Sequence, residues 1–218
     1  MSEPTIYKPS IYNGNGVYNN GGGGGGGDLP AEYEQCNYIE SDGTAYLYAQ
    51  ISHAQTNTLR SMSAKYSPVV KNDNNKYLFF AVRNYGFGGY SAFGVQNTDL
   101  LFVVSGQIFG DSNSEYLNFV EQKMIGSSGT TISSNYTTDK VLGNNILQSF
   151  DRVYLFRFPD EGTISAGKFF GAKFRNENEN KDIIDFIPAK RISDGVYGVW
   201  ENVGKNFYSA YTGSFTGG

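Results

Sequence analysis

Ile183-Ile184-Asp185-Phe186-Ile187-Pro188-Ala189-Lys190 and, past the turn residues Asp194-Gly195, Val196-Tyr197-Gly198-Val199-Trp200 decide how this chain folds. Each is a short apolar and aromatic run, and the residues between them tolerate positive φ or form Asx turns. The pair therefore reads as two strands of an antiparallel sheet. Pro188 has no amide to give to a ladder, so the first strand is expected to end there.

The same alternation runs outward over most of the chain. Strands are expected at 37–39, 45–51, 59–66, 77–84, 91–96, 100–109, 116–124, 130–136, 152–158, 168–175, 183–190, 195–200 and 206–208. Turns fall at Asp42-Gly43, Asn72 to Asn75, Gly86 to Gly89, Ser127-Ser128-Gly129 and Asp160-Glu161-Gly162, all supplied with the residue types that tight turns need. Residues 143–150 read as a short helix or helical turn. No repeat of 20–50 residues appears, which disfavours a propeller or solenoid. The fold class expected is an all-β antiparallel sandwich of jelly-roll type over residues 31–218, preceded by an extended N-terminal peptide.

Composition agrees. The 218 residues are 39% hydrophobic, 16% aromatic and 17% charged, too apolar for a disordered chain. With 17 Tyr, 16 Phe and 28 Gly against one Trp, the balance favours pleated surfaces and tight turns over helix. The net charge of −4 is spread without blocks, so nothing marks a nucleic-acid or anionic-membrane partner. Cys36 is the single cysteine, and Met1-Ser2-Glu3-Pro4 lacks the basic and apolar regions of a signal peptide. Synthesis in a reducing cytosol is expected. No apolar run reaches the roughly 20 residues that a spanning helix needs.

Residues 1–20 and 21–30 differ in kind from the rest. Ile6-Tyr7, Ile11-Tyr12 and Val17-Tyr18 repeat an aliphatic–Tyr pair at steps of 5 and 6, a spacing that fits neither a helix nor a strand, ahead of the glycine run Gly21 to Gly27. These six side chains read as a docking peptide. Seven glycines form a coil spanning about 15 Å root-mean-square, which frees the domain's orientation from whatever the peptide grips. A disordered tail is the alternative on composition alone.

Several segments resemble the laminin G-like, concanavalin A-like lectin/glucanase jelly rolls of tailed-phage structural proteins. They are Gly167-Lys168-Phe169-Phe170 with Ala172-Lys173-Phe174, Ile184 to Lys190, Gly195 to Glu201, Asn206-Phe207-Tyr208 and Thr212 to Thr216. Upstream, Tyr38 to Tyr46 is similar to the family's opening strand and turn, and Ala81-Val82-Arg83-Asn84 with Ala92-Phe93-Gly94-Val95 to its central hairpin. The likeness spans most of 37–217 and is weakest over 97–150. Tyr48 and Gln50 stand where the family usually has Asp and Gly. The resemblance implies a virion surface protein synthesised in the host cytoplasm. Its closing strands should pair with its opening ones, so that residues near 38 lie beside residues near 215.

Enzymatic function is not expected. Glycan hydrolysis needs two carboxylates flanking the scissile bond, and the Glu-x-Asp-x-x-Glu strand of hydrolytic family members is absent. The acidic run Glu177 to Asp182 reads as a solvated hairpin loop. His53, the single histidine, has no local context for nucleophilic catalysis, and Trp200 reads as core. No cofactor is expected; Asp42, Asp99, Asp111 and Asp139 leave Ca²⁺ open against ordinary Asx turns. Tyr85-Gly86-Phe87-Gly88-Gly89-Tyr90 sets three rings among glycines, so Tyr85, Phe87 and Tyr90 are candidate ligand-binding residues, the alternative being that they fold over an end of the core.

The reading is a capsid-attached head fibre or decoration protein, forming homo-oligomers, docked to capsid or tail proteins through residues 1–20 and able to bind host-surface glycan. Alternatives are a tail fibre or receptor-binding adhesin, a glycan-degrading enzyme, and a free carbohydrate-binding module.

Overall fold

A computed structural model describes residues 29–53, 59–69, 75–86, 89–97, 99–111, 118–127, 129–136, 139–143, 149–159 and 162–218. Among them there are strands and turns but no helix. The chain begins with β1 (Tyr33–Gln35), β2 (Ile39–Asp42), β3 (Leu47–Ala49), β4 (Arg60–Pro68), β5 (Lys76–Asn84) and β6 (Gly89–Gln96). It continues with β7 (Asp99–Val104), β8 (Gln107–Asp111), β9 (Val120–Gly126), β10 (Thr130–Ser134), β11 (Lys140–Leu142) and β12 (Arg152–Leu155). The last strands are β13 (Ala166–Asn176), β14 (Lys181–Arg191), β15 (Tyr197–Glu201), β16 (Asn206–Ser209) and β17 (Thr216–Gly217).

Two antiparallel sheets face each other in a jelly-roll sandwich. The smaller runs β3-β12-β5-β6-β7-β8; the larger runs β11-β10-β9-β4-β13-β14-β15-β16 and also takes in β1, β2 and β17. The chain changes sheet at β3, β4, β5, β9, β12 and β13, so neither sheet can form without the other. As expected, the end of the chain closes on its beginning: Glu40 pairs with Thr216 and Ile39 with Gly217.

Aromatic side chains fill the space between the sheets. Tyr66 of β4 stacks on Phe79 of β5 with centroids 4.3 Å apart, and Phe156 meets both Phe169 and Phe215. All five are buried, and each ring withdrawn from water contributes about 1.5–3 kcal/mol. The Tyr66 hydroxyl is paired within this core: it donates to the Gly94 carbonyl at 3.1 Å and bonds Gln122, whose amide donates to the Leu101 carbonyl at 3.0 Å.

Four sequence expectations change. Residues 100–109 are not one strand but the β7–β8 hairpin, because Ser105 and Gly106 take positive φ (50° and 82°) and make the two-residue turn that strand twist favours. Pro188 does not end its strand. β14 runs on to Arg191, and the Pro188 carbonyl accepts from Cys36 N. In an antiparallel strand a residue's N–H and C=O point the same way. The missing donor therefore faces the gap where β14 changes partner from β13 to β1. The strand expected at 152–158 stops at Leu155, since Phe156 adopts a φ of 61°. β1, β11 and β17, only two or three residues long, carry too little pattern to be seen in the sequence. Most of the helical turn expected at 143–150 lies outside the described residues.

Candidate functional site

β3 is the edge strand of the smaller sheet, and successive side chains on a strand alternate between faces. Leu47 and Ala49 turn into the core and Tyr48 faces outward, while Tyr46, just before the strand, is buried against the same core and contacts Tyr211. The segment after β16 is laid along this edge. Tyr211 N donates to the Tyr46 carbonyl at 2.8 Å, and Thr212 bridges Tyr46. Gly213, at a φ of 67°, packs against Ala45, where a side chain would crowd the Ala45 backbone. Tyr211 is thereby set across the two tyrosines, 5.5 Å from Tyr46 and 5.8 Å from Tyr48, with 65% of its surface exposed.

The next strand adds arginines. On β12, Tyr154 pairs with Tyr48, their rings 5.4 Å apart, and Arg152 pairs with Arg83 of β5. The Arg152 guanidinium lies 4.0 Å from the centroid of Tyr85 and 5.6 Å from that of Tyr48; Arg83 lies 4.7 Å from Tyr85. At the other end Arg157 lies over Tyr46 at 4.3 Å. The result is a continuous stripe, Arg157–Tyr46–Tyr211–Tyr48–Arg152–Tyr85–Arg83.

Tyr211 and Tyr85 (56% exposed) stand open to solvent and are held by their neighbours, whereas Tyr46 is buried. Desolvation pulls the Arg152 pKa down, but Tyr48, the Tyr154 hydroxyl and Asp151 outweigh it and hold the group above the usual arginine range. Tyr154 is pushed up, chiefly by burial.

Of the residues singled out from the sequence, Tyr85 belongs to this stripe. Tyr90 does not: it is buried on the outward face of the smaller sheet against Phe158, 5.4 Å away. Phe87 lies outside the described residues, as do Ile6, Tyr7, Ile11, Tyr12, Val17 and Tyr18. Trp200 is buried, covered by Tyr33 at 5.0 Å on the outward face of the larger sheet. His53 is partly buried against Phe150.

Tyr46, Tyr48, Tyr211, Arg152 and Arg157 were not anticipated as a group. Two signals pointed to them: the i, i+2 pairing of Tyr46 with Tyr48, and Tyr48 standing where the resembled family has Asp.

Carboxylates are tied into structure. Asp182 and Asp185 meet Lys173, Glu177 meets Arg175, and Glu201 accepts from the amides of Asp185, Val203 and Gly204. Asp42 closes an Asx turn by accepting from Thr44 N at 2.9 Å, which lowers its pKa together with the Thr44 hydroxyl bond, the larger cause. Among the described residues no three His, Cys, Asp or Glu side chains gather as a metal site.

No family model matches the chain, and no curated protein matches it. Solved structures with similar chain paths include the heptameric SAP-like pentraxin from Limulus polyphemus, at 9% identity and a TM-score of 0.45, covering 63% of this chain and 76% of that one. Domains LG4-5 of the mouse laminin alpha1 chain align at 8% identity and 0.44, covering 76% of this chain and 48% of that chain. Sheep galectin-11, in complex with glycerol, aligns at 8% and 0.37, covering 59% and 95%. Likenesses this loose carry no functional argument.

Proposed function

We propose that the sandwich is a glycan-binding display module, with its ligand along the Tyr and Arg stripe at the β3 edge. The observation that supports this is the pinning of Tyr211 across Tyr46 and Tyr48. Rings held open to water lose burial free energy that they would gain inside the core. A sugar presents a face of C–H groups with hydroxyls around its edge, and it matches rings flanked by planar donors. The role is binding rather than hydrolysis, since the carboxylates described above are engaged in turns and ion pairs.

The display half of the proposal rests on the sequence. Residues 1–20 dock the protein to a larger assembly and the glycines let the module swivel, in line with the resemblance to tailed-phage virion proteins. In that reading the chain is an oligomeric head fibre or decoration protein on the virion surface, with a tail adhesin as the alternative attachment. Many copies on one particle would raise the avidity of a weak single site.

Two experiments test the halves separately. A glycan array with the intact protein and the Tyr211→Ala variant should give a defined set of bound glycans that the variant loses; no bound glycan, or one indifferent to Tyr211, contradicts the site. Electron cryomicroscopy of the particle expected to carry the chain should show the first twenty residues as ordered density on the capsid. Replacing Tyr7, Tyr12 and Tyr18 by Ala should then abolish incorporation, and unchanged incorporation contradicts the docking role.

A further inference from the structure

We infer that the glycan taken by the stripe is anionic, with its carboxylate or sulfate groups received by Arg152 and Arg157. The inference rests on the glycan reading of the stripe and follows from how these two guanidiniums are used. Each lies over a tyrosine ring, at 4.0 Å for Arg152 over Tyr85 and 4.3 Å for Arg157 over Tyr46. A cation–π contact uses none of the guanidinium's five N–H donors as a conventional hydrogen bond to an acceptor atom.

Such an acceptor is missing for Arg157, which makes no hydrogen bond or ion pair among the described residues, its Nε being buried without an acceptor. Arg152 bonds the Tyr154 hydroxyl, and its one anionic neighbour among the described residues, Asp151, lies 4.0 Å from Nε, the limit of an ion pair. Asp151 is itself engaged, accepting from Tyr85 N at 3.2 Å. On the larger sheet three cations around the Asn176 to Lys181 and Asp194 turns are answered, Lys173 by Asp182 and Asp185, Arg175 by Asp182 and Glu177, and Arg191 by Asp194, while Lys168 and Lys190 lie over Tyr38 and Tyr197. Arg157 and Arg152 therefore hold positive charge against rings, Arg157 without an ion pair among the described residues and Arg152 with only the long contact to Asp151. Planar forks of this kind suit carboxylate and sulfate oxygens in a bidentate pair.

Spacing adds a size. Arg152 and Arg157 are five residues apart, a separation of at most about 17 Å at the rise of a strand, with Tyr48, Tyr211 and Tyr46 between. A ligand touching both is an oligosaccharide, its sugar faces on the rings and acidic groups at two points.

The test measures binding of the intact protein to four probes at physiological ionic strength: a galacturonate hexasaccharide, a sulfated maltohexaose, neutral maltohexaose and polyglutamate. At least one acidic saccharide should bind about tenfold or more tighter than the neutral one, the scale of one charge-assisted bidentate pair. Whether the galacturonate or the sulfated probe is preferred identifies the acidic group. The double variant Arg152→Gln/Arg157→Gln should erase that preference, and Arg152→Lys/Arg157→Lys should restore part of it, with unchanged melting temperatures. Equal affinity for the neutral saccharide, a preference that survives the glutamine variant, or equal binding of polyglutamate overturns the inference. Neutral saccharide bound and lost on Tyr211→Ala leaves the glycan reading standing without it; no saccharide bound removes both.

Discussion

On the larger sheet, β4 and β9 alternate residue by residue between core and solvent: Met62, Ala64 and Tyr66 turn in while Ser63, Lys65 and Ser67 turn out, and Val120, Gln122 and Met124 turn in while Glu121 and Lys123 turn out. On the smaller sheet the alternation is missing. Leu78 to Val82, Ala92 to Val95 and Leu100 to Val104 are buried throughout, and the outward row Tyr154–Ala81–Ala92–Val103 is as apolar as the inward one. An antiparallel sheet with one wet face shows the first pattern, and a sheet buried on both faces shows the second.

The polar face holds a depression of about 350 Å³ lined by Ser63, Lys65, Glu121, Lys123, Ser133 and Asn135, where charges are answered locally, as between Lys65 and Glu121. The aromatic face instead sets its rings and arginines at its β3 border. The difference teaches that the proposed ligand stripe lies at the border of the sheet that is buried on both faces, not in the hollow of the sheet with a wet face.

The largest effect should come from putting a charge on each outward face. Ala92→Asp buries an unpaired carboxylate and should cost about 3–5 kcal/mol in urea denaturation, whereas Ser63→Asp should stay within about 0.5 kcal/mol; similar costs would break the comparison. Next, Gly94→Ala forces a methyl group against the Tyr77 carbonyl and Leu78, costing about 1–3 kcal/mol by overpacking. Tyr66→Phe leaves the buried Gly94 and Gln122 acceptors unanswered, for about 1–2 kcal/mol.

A smaller effect is set by pH. Burial first, and Arg60 second, lower the pKa of His53 below its ordinary value. The unfolded chain then binds a proton that the folded chain resists, so stability contributed by neutral His53 is present above about pH 6.5 and lost as pH falls through the lowered value. His53→Gln should flatten the decline in melting temperature between neutral and mildly acid pH; an unchanged decline assigns it to other groups.

Much of the sandwich was legible because period-two patterning and turn chemistry act locally: the hairpin at Asn176 to Lys181 and the β5–β6 pair follow from residues quoted in the sequence, while the closure of the chain end on β2 was implied by the family resemblance alone. The β7–β8 turn was missed because Ser105-Gly106 is a weaker signal than the apolar residues around it. The stripe was legible only in part. Tyr85 could be picked out from its glycine neighbours, but Tyr46, Arg157 and Tyr211 come together through a crossover of the chain end onto β3, a contact spanning 165 positions between Tyr46 and Tyr211 that no local pattern encodes. Tyr90, from the same loop as Tyr85, went the other way because strand alternation puts it beside Phe158.

The most direct measurement is a crystal structure of the protein soaked with the acidic hexasaccharide that binds best. The account predicts sugar rings on Tyr48 and Tyr211 with acidic groups at Arg152 and Arg157. Density in the Ser63, Lys65 and Lys123 depression of the larger sheet, with the stripe bare, would contradict it.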